Sequence, residues 1–260
     1  MMNLSVFAGA FNYEFRMQVR RPIIWIVQFL TTLLVAGFIS RSAGILDMLI
    51  HLQSVAILES VVYWTNFMNY VLPIAAGILI ADRLPRDQRT KVQELLTTTS
   101  ASLRARLFGK YLGCTLATWL PICLLYCLGI CFIFVQTGNL MVLPLALETF
   151  ATIVLPCMFF VGAFSIAIPA ILWVPLYQFL FLGYWFWGNL YAPKSIPTIS
   201  ATLLTPAGGY MSQGFFGVTM FHATHATAFQ GVESFVLLLI LSMLIMLALS
   251  SYLLWQQTRH

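Results

Sequence analysis

Charge is what this sequence has least of. Only 8% of its 260 residues are Asp, Glu, Lys or Arg, against 60% hydrophobic residues and a mean hydropathy of +0.90. A globular chain carries charge on roughly a quarter of its residues, so this composition excludes an ordinary water-soluble fold and indicates an integral membrane protein. Catalytic signatures are missing as well. The one Gly-Lys pair, Gly109-Lys110, has Arg104 where a phosphate loop G-x-x-x-x-G-K-S/T needs Gly and Tyr111 where it needs Ser or Thr. The chain is therefore not expected to hydrolyse nucleotide or to be an enzyme. Neither H-E-x-x-H, G-x-S-x-G nor C-x-x-C occurs. His51, His222, His225 and His260 all fall outside the apolar runs, so no haem or metal centre is expected, and no cofactor. No short apolar core with a small-residue cleavage site opens the chain, and the first span is expected to direct insertion itself.

What is present is a succession of apolar runs. Residues 1–21 place Phe7, Phe11 and Phe15 at helical spacing with Glu14, Gln18, Arg20 and Arg21 elsewhere. That pattern suits a helix lying in the membrane interface, or a tail folded back on the protein. Spans are expected over 23–40, 61–81, 111–135, 143–167, 170–191 and 234–255, each long enough for about 30 Å of hydrocarbon. Between the last two, residues 192–231 are too apolar for a solvated loop and too rich in Pro and Gly for a span. They read as a re-entrant or interfacial segment on the outer side. The expected fold is thus an all-α, single-domain integral membrane protein: six transmembrane helices, an N-terminal interfacial helix and this broken outer segment. Gly109, Gly113 and Ala117 form a small-residue stripe for close helix packing. Cys123, Cys127 and Cys131 share a helix face and, with Cys114 and Cys157, read as small apolar packing residues.

Ten charged residues are concentrated in the segment 82–110. Six spans with the N-terminus inside put Arg16, Arg20, Arg21, Arg259 and every Lys and Arg of that segment in the cytoplasm, leaving Arg41 and Lys194 outside. This is the arrangement expected of inner-leaflet loops. The net charge of +5 is accounted for by this bias and gives no nucleic-acid reading. Glu59, Glu148 and Glu233 each fall near the start of an even-numbered span, where an outer helix N-terminus favours a carboxylate. Within the charged segment, Asp87 can cap a helix from Gln88 that gathers Val92, Leu95 and Leu96 on one apolar face, with Ser100 capping the next helix. An apolar stripe on a short helix between two spans is a docking surface; a basic loop that only attracts anionic lipid would need no stripe.

The run Arg86-Asp87-Gln88-Arg89, followed by Glu94-Leu95-Leu96, Thr97-Thr98-Thr99 and then Gly109-Lys110, resembles the first cytoplasmic loop of ABC-2 type transporter permeases. Lys91, Val92 and Ser100 stand where that family usually has Gly, Thr and Pro, while Glu94, Leu95, Leu96, Gly109 and Lys110 keep the spacing. The resemblance implies a permease subunit in the cell membrane that pairs with a second permease subunit and with separate ABC ATPase subunits. It implies ATP on those partners and, usually, outward transport. It also places the ATPase-coupling helix at Arg83, Arg86, Asp87, Arg89, Val92, Glu94, Leu95 and Leu96. The competing expectation is an ATP-independent secondary transporter or channel.

Overall fold

The computed structural model describes residues 4–41, 57–89, 102–190, 197–200, 202–219 and 225–259, without the side chains of 34–41, 88–89, 190 and 259. Among these residues every regular element is helical. Helix α1 (Leu4–Val19) stops just before Pro22, which opens α2 (Pro22–Arg41) from a position where its missing N–H costs no helical bond. Helix α3 (Ile57–Ile80) contains Pro73, and the short α4 (Arg83–Arg89) follows it almost at once. Helix α5 (Leu103–Thr137) is capped by Ser102, whose Oγ accepts from the Ala105 amide at 3.4 Å, and is stopped by left-handed Gly138. The cap is thus Ser102 rather than Ser100, because the helix begins at Leu103 and the cap must immediately precede it.

Helix α6 (Val142–Ala170) widens to a π-helical turn over Phe150–Val154. That turn lies immediately before Pro156, which has no N–H to donate to it. Helix α7 (Val174–Trp185) continues as a π-turn through Leu190. The short α8 (Gly209–Phe216) and the long α9 (Ala228–Arg259) complete the order.

Four helical stretches, Ile57–Asp87 (α3 running on into α4), Leu103–Thr137, Val142–Ala170 and Ala228–Thr258, are long and apolar enough to cross a membrane. The described residues form an all-helical structure of multi-pass character. The helices overrun the expected spans: α5 begins eight residues before 111, and α9 extends at both ends of 234–255. Helix α6 runs through Pro169 in a final 3-10 turn, so the next helix starts at Val174 rather than 170.

Two ends of the bundle are distinguished by what is buried there. At one, Leu84, Leu107, Tyr111, Cys114, Met246, Leu249 and Leu253 pack together, with Asp87, Arg106 and Lys110 beside them. At the other, Val61, Tyr126, Ile133 and Val142 pack together. Thr65, Tyr126 and Thr149 join hydroxyls across α3, α5 and α6 there, with Tyr126 also donating to the Ala146 carbonyl at 2.7 Å. Between the two ends, Trp119, Ile153, Val161, Phe181, Trp185, Met211 and Leu238 form the middle of the core. Cys114 and Cys157 are buried, but Cys127 and Cys131 are exposed. This corrects the packing expected of those two, whose face of α5 turns away from the bundle alongside Leu124, Leu128 and Phe132.

Candidate functional site

Helix α1 does not float free of the bundle; it lies along the first turns of α5. A Cβ at Gly109 would sit 2.7 Å from the Phe7 carbonyl oxygen, and one at Gly113 2.7 Å from that of Phe11. Both are far inside any real carbon–oxygen contact, so two glycines one turn apart are what let the backbones meet. Ala117, the third member of the stripe, is buried one turn further along α5. The stacked rings of Phe7, Phe11 and Phe15, 6.4 and 5.9 Å apart at their centroids, run along a half-buried face. The residues of α1 that are buried are polar: Glu14 and Gln18. A helix whose phenylalanines suggest a lipid-facing amphipath thus turns its carboxylate inward, because the cations that need it lie there.

Those cations come from two other elements. Lys110 Nζ lies 3.0 Å from Glu14 Oε1 and also binds Asp87 of α4. Arg83, at the start of α4, donates through Nη2 to the Gln18 Oε1. The Cys114 thiol, one turn beyond Lys110, lies 3.4 Å from the other Glu14 oxygen. Lys110, Glu14, Arg83 and Gln18 are 7%, 6%, 3% and 1% exposed, so the network is desolvated. At such depth an ion pair is not simply a gain: removing one partner leaves an uncompensated buried charge, at a cost of about 3–5 kcal/mol. Positive charge is in excess nearby. Burial, and then the charge of Arg86, hold the Arg21 guanidinium below its ordinary range. Three segments separated in sequence, α1, α4 and the base of α5, are therefore tied together by one lysine between two carboxylates, Glu14 and Asp87.

The sequence-predicted residues distribute unevenly over this site. A short helix, α4, does lie in the charged segment, but over Arg83–Arg89, with Asp87 inside it rather than capping it, and the helix expected from Gln88 to Leu96 falls almost wholly outside the described residues. Asp87 pairs with Lys110 of α5. Arg83 is buried and so cannot itself meet a docked protein, whereas Arg86 is exposed. Arg89 is described only in its backbone, and Val92, Glu94, Leu95 and Leu96 lie outside the described residues. Of the carboxylates expected at outer helix starts, Glu59 is in the first turn of α3 and is exposed. Glu148 is followed within two residues by the π-turn of α6, and Glu233 lies beyond the first turn of α9. Glu148 is the seventh residue of α6, and α9 begins six residues before the expected 234, so neither carboxylate meets the free N–H groups of a first turn. Asp47, His51 and His222 are outside the described residues, and among the described residues no cluster of His, Cys, Asp or Glu could hold a metal ion.

Sequence reasoning missed Glu14, Gln18 and Lys110 as a unit. One signal was available: Glu14 is the only acidic residue in the first 46 positions, and Lys110 the last charge before a long apolar run. It also missed Asn69. This buried side chain, midway along α3, donates to the carbonyls of Pro206 and Ala207 at 3.2 and 3.0 Å. Asn189 accepts from the Ala207 amide at 3.4 Å, and Ser234 donates to the Leu203 carbonyl at 2.8 Å. The irregular backbone of 205–208 is thus buried, with its carbonyls at Pro206 and Ala207 satisfied by a side chain, before Gly208, at φ 91°, turns it into α8.

No protein-family model matches the chain, and no curated protein or solved structure is found to be similar to it.

Proposed function

We propose that this chain is the membrane subunit of an ATP-driven exporter of the ABC-2 permease type. It would form half of the transmembrane pathway with a second permease subunit and dock separate ATPase subunits at its charged end. In this reading α2 and α7 complete six spans in the cell membrane. Both termini and residues 82–110 are cytoplasmic, and the segment 197–219 is re-entrant from the outer side. ATP is bound and hydrolysed by the partner, and the chain itself is no enzyme.

The observation that carries the reading is the three-way joint of α1, α4 and α5 through Glu14, Asp87 and Lys110. A force applied to α4 or α1 has a rigid path into a 35-residue helix that runs the length of the bundle. Such a joint is what a subunit without an engine of its own requires, since closure of the partner must bias two arrangements of the pathway. The sequence resemblance around Glu94, Leu95 and Leu96 supports the same placement.

A gradient-driven transporter is the competing reading, because a buried ionisable network is also the usual equipment of proton- and ion-coupled carriers. The network's position at the end of α5, not midway along it, favours a mechanical role. Affinity purification of the full chain from its native membranes in mild detergent separates the two. The proposal expects a phosphate-loop subunit and ATP hydrolysis in the eluate, both lost on Leu95→Asp with membrane insertion retained. An eluate without such a subunit, from a chain whose transport follows a proton or sodium gradient, would establish the competitor.

A further inference from the structure

Beside the joint, on the opposite face of α5, the structure leaves a groove of about 780 Å³. Its walls are Phe7 of α1, Phe108 and Leu112 of α5, and Met243, Leu247 and Leu254 of α9, and its mouth carries Ser102 and Arg104. Met243 and Leu247 are 55% and 43% exposed, so the groove is open to the side. None of its lining residues is acidic.

We infer that this groove is a binding site for one anionic phospholipid, with an acyl chain along Phe108, Leu112, Met243 and Leu247 and the phosphate at Arg104. Three observations converge on that occupant. The groove runs along α5 and α9, two of the helices long and apolar enough to cross a membrane, so hydrocarbon is the medium its apolar length meets. Its mouth is at headgroup depth: Leu254 lines it, and the neighbouring Trp255 is half-exposed, as tryptophans at a membrane–water boundary are. The mouth is also electrostatically one-sided. Arg104 is exposed there, and a guanidinium presents several donors to a phosphate. The Ser102 hydroxyl accepts from Ala105 and keeps its own proton to donate. A zwitterionic headgroup would bring a second cation against Arg104 with no carboxylate among the described lining residues to receive it, so the site selects net negative charge.

The lipid would bridge α1 and α9, both of which line the groove. It would therefore fill the space beside the α1–α5 contact on which the Glu14–Lys110 pair depends. This gives the lipid a structural part in the joint, independent of whether an ATPase docks there.

The test uses the full chain purified in mild detergent and equilibrated with equimolar phosphatidylglycerol and phosphatidylcholine of identical acyl chains, the retained lipid being counted by native mass spectrometry. The wild type is expected to keep the anionic lipid over the zwitterionic one by roughly fivefold, the factor that one basic residue near a charged headgroup supplies. Arg104→Gln should bring that ratio close to one, Arg104→Lys should restore much of it, and Leu247→Trp should reduce retention of both lipids by filling the groove. Arg104 and Leu247 are both exposed, and unchanged elution and melting of the variants confirm that folding is intact. Equal retention of the two lipids by the wild type would overturn the inference. So would an Arg104→Gln ratio equal to that of the wild type, a Leu247→Trp chain that keeps both lipids, or a preference lost instead on Arg16→Gln with Arg20→Gln.

Discussion

Lys110 and Glu14 are 96 positions apart in sequence, and their charged atoms are 3.0 Å apart in the fold, both buried. Neither charge is tolerable there alone. The pair fixes the position of α1 against α5 as firmly as the glycine contact does, and it does so with directional bonds that also recruit Asp87.

Lys110→Met should therefore be severe. It strands the Glu14 carboxylate in a site built for an ion pair, and a loss of about 3–5 kcal/mol is expected. The double variant Glu14→Gln with Lys110→Met removes both charges and should recover at least ~1 kcal/mol of that loss, as contacting residues are coupled. Thermal melting in detergent across the four proteins of the cycle measures this. Strict additivity of the two single variants would mean that the two residues do not act as a pair.

Gly113→Leu should lift α1 from α5 while leaving the spans intact, since the obstruction is the Phe11 carbonyl and the Glu14 Cβ. The readout is Cys114, which is fully buried under Glu14 in the native joint. In a chain whose other cysteines are replaced by serine or alanine, a water-soluble maleimide should label Cys114 at least ~10-fold faster after Gly113→Leu. The estimate follows from the 1–3 kcal/mol that overpacking costs a local closed state. Unchanged labelling would place α1 elsewhere.

Much of this site was legible in the sequence as pieces. The four-residue spacing of Gly109, Gly113 and Ala117 announces close helix approach because small side chains have few other uses at that spacing. It does not name the partner helix, which is α1. The charged segment 82–110 is visible as an island, and α4 lies within it, but the inward turn of Arg83 and Asp87 is a tertiary event. Gln18 comes beside Arg83 only when α1 folds back, and Lys110 comes beside Asp87 only when α4 packs on the base of α5. The apolar runs announce spans, while their ends follow caps and prolines. Ser102, Gly138 and Pro156 decide where α5 and α6 start, stop and widen, and hydropathy averages over such single positions. Asn69 was illegible for a related reason. An amide in an apolar run reads as an isolated defect until the carbonyls it satisfies, of Pro206 and Ala207, are known.

Asn69→Leu should loosen the segment 202–219 selectively. It leaves the buried carbonyls of Pro206 and Ala207 without their donor, at about 1–3 kcal/mol. The expected result is cleavage within that segment by an added protease several-fold faster than in the wild type, with little change at the Glu14–Lys110 end. Cleavage no faster than in the wild type would show that Asn69 is not what holds the segment.

Coupling should depend on the apolar stripe beyond α4. Leu95→Asp is expected to reduce partner-dependent ATP turnover by at least ~10-fold, in line with the ~1.4 kcal/mol per decade of an interface contact whose buried leucine becomes charged. Glu94→Ala should have a smaller effect, and Glu59→Gln, at the far end, none. Turnover measured on equal amounts of each purified variant, with the ATPase subunit added back in excess, distinguishes these three. Equal turnover in all of them would remove the stripe from the docking surface.

The measurement that bears most directly on the central claim is site-specific photo-crosslinking in native membranes. A photoreactive residue in place of Arg86, exposed on α4, should capture a phosphate-loop ATPase subunit identified by mass spectrometry. The same residue in place of Asn139, exposed at the opposite end of α5, should capture none. Capture of an ATPase from position 139, or from neither position in a correctly inserted chain, would contradict the assignment of the Glu14–Asp87–Lys110 end as the docking joint.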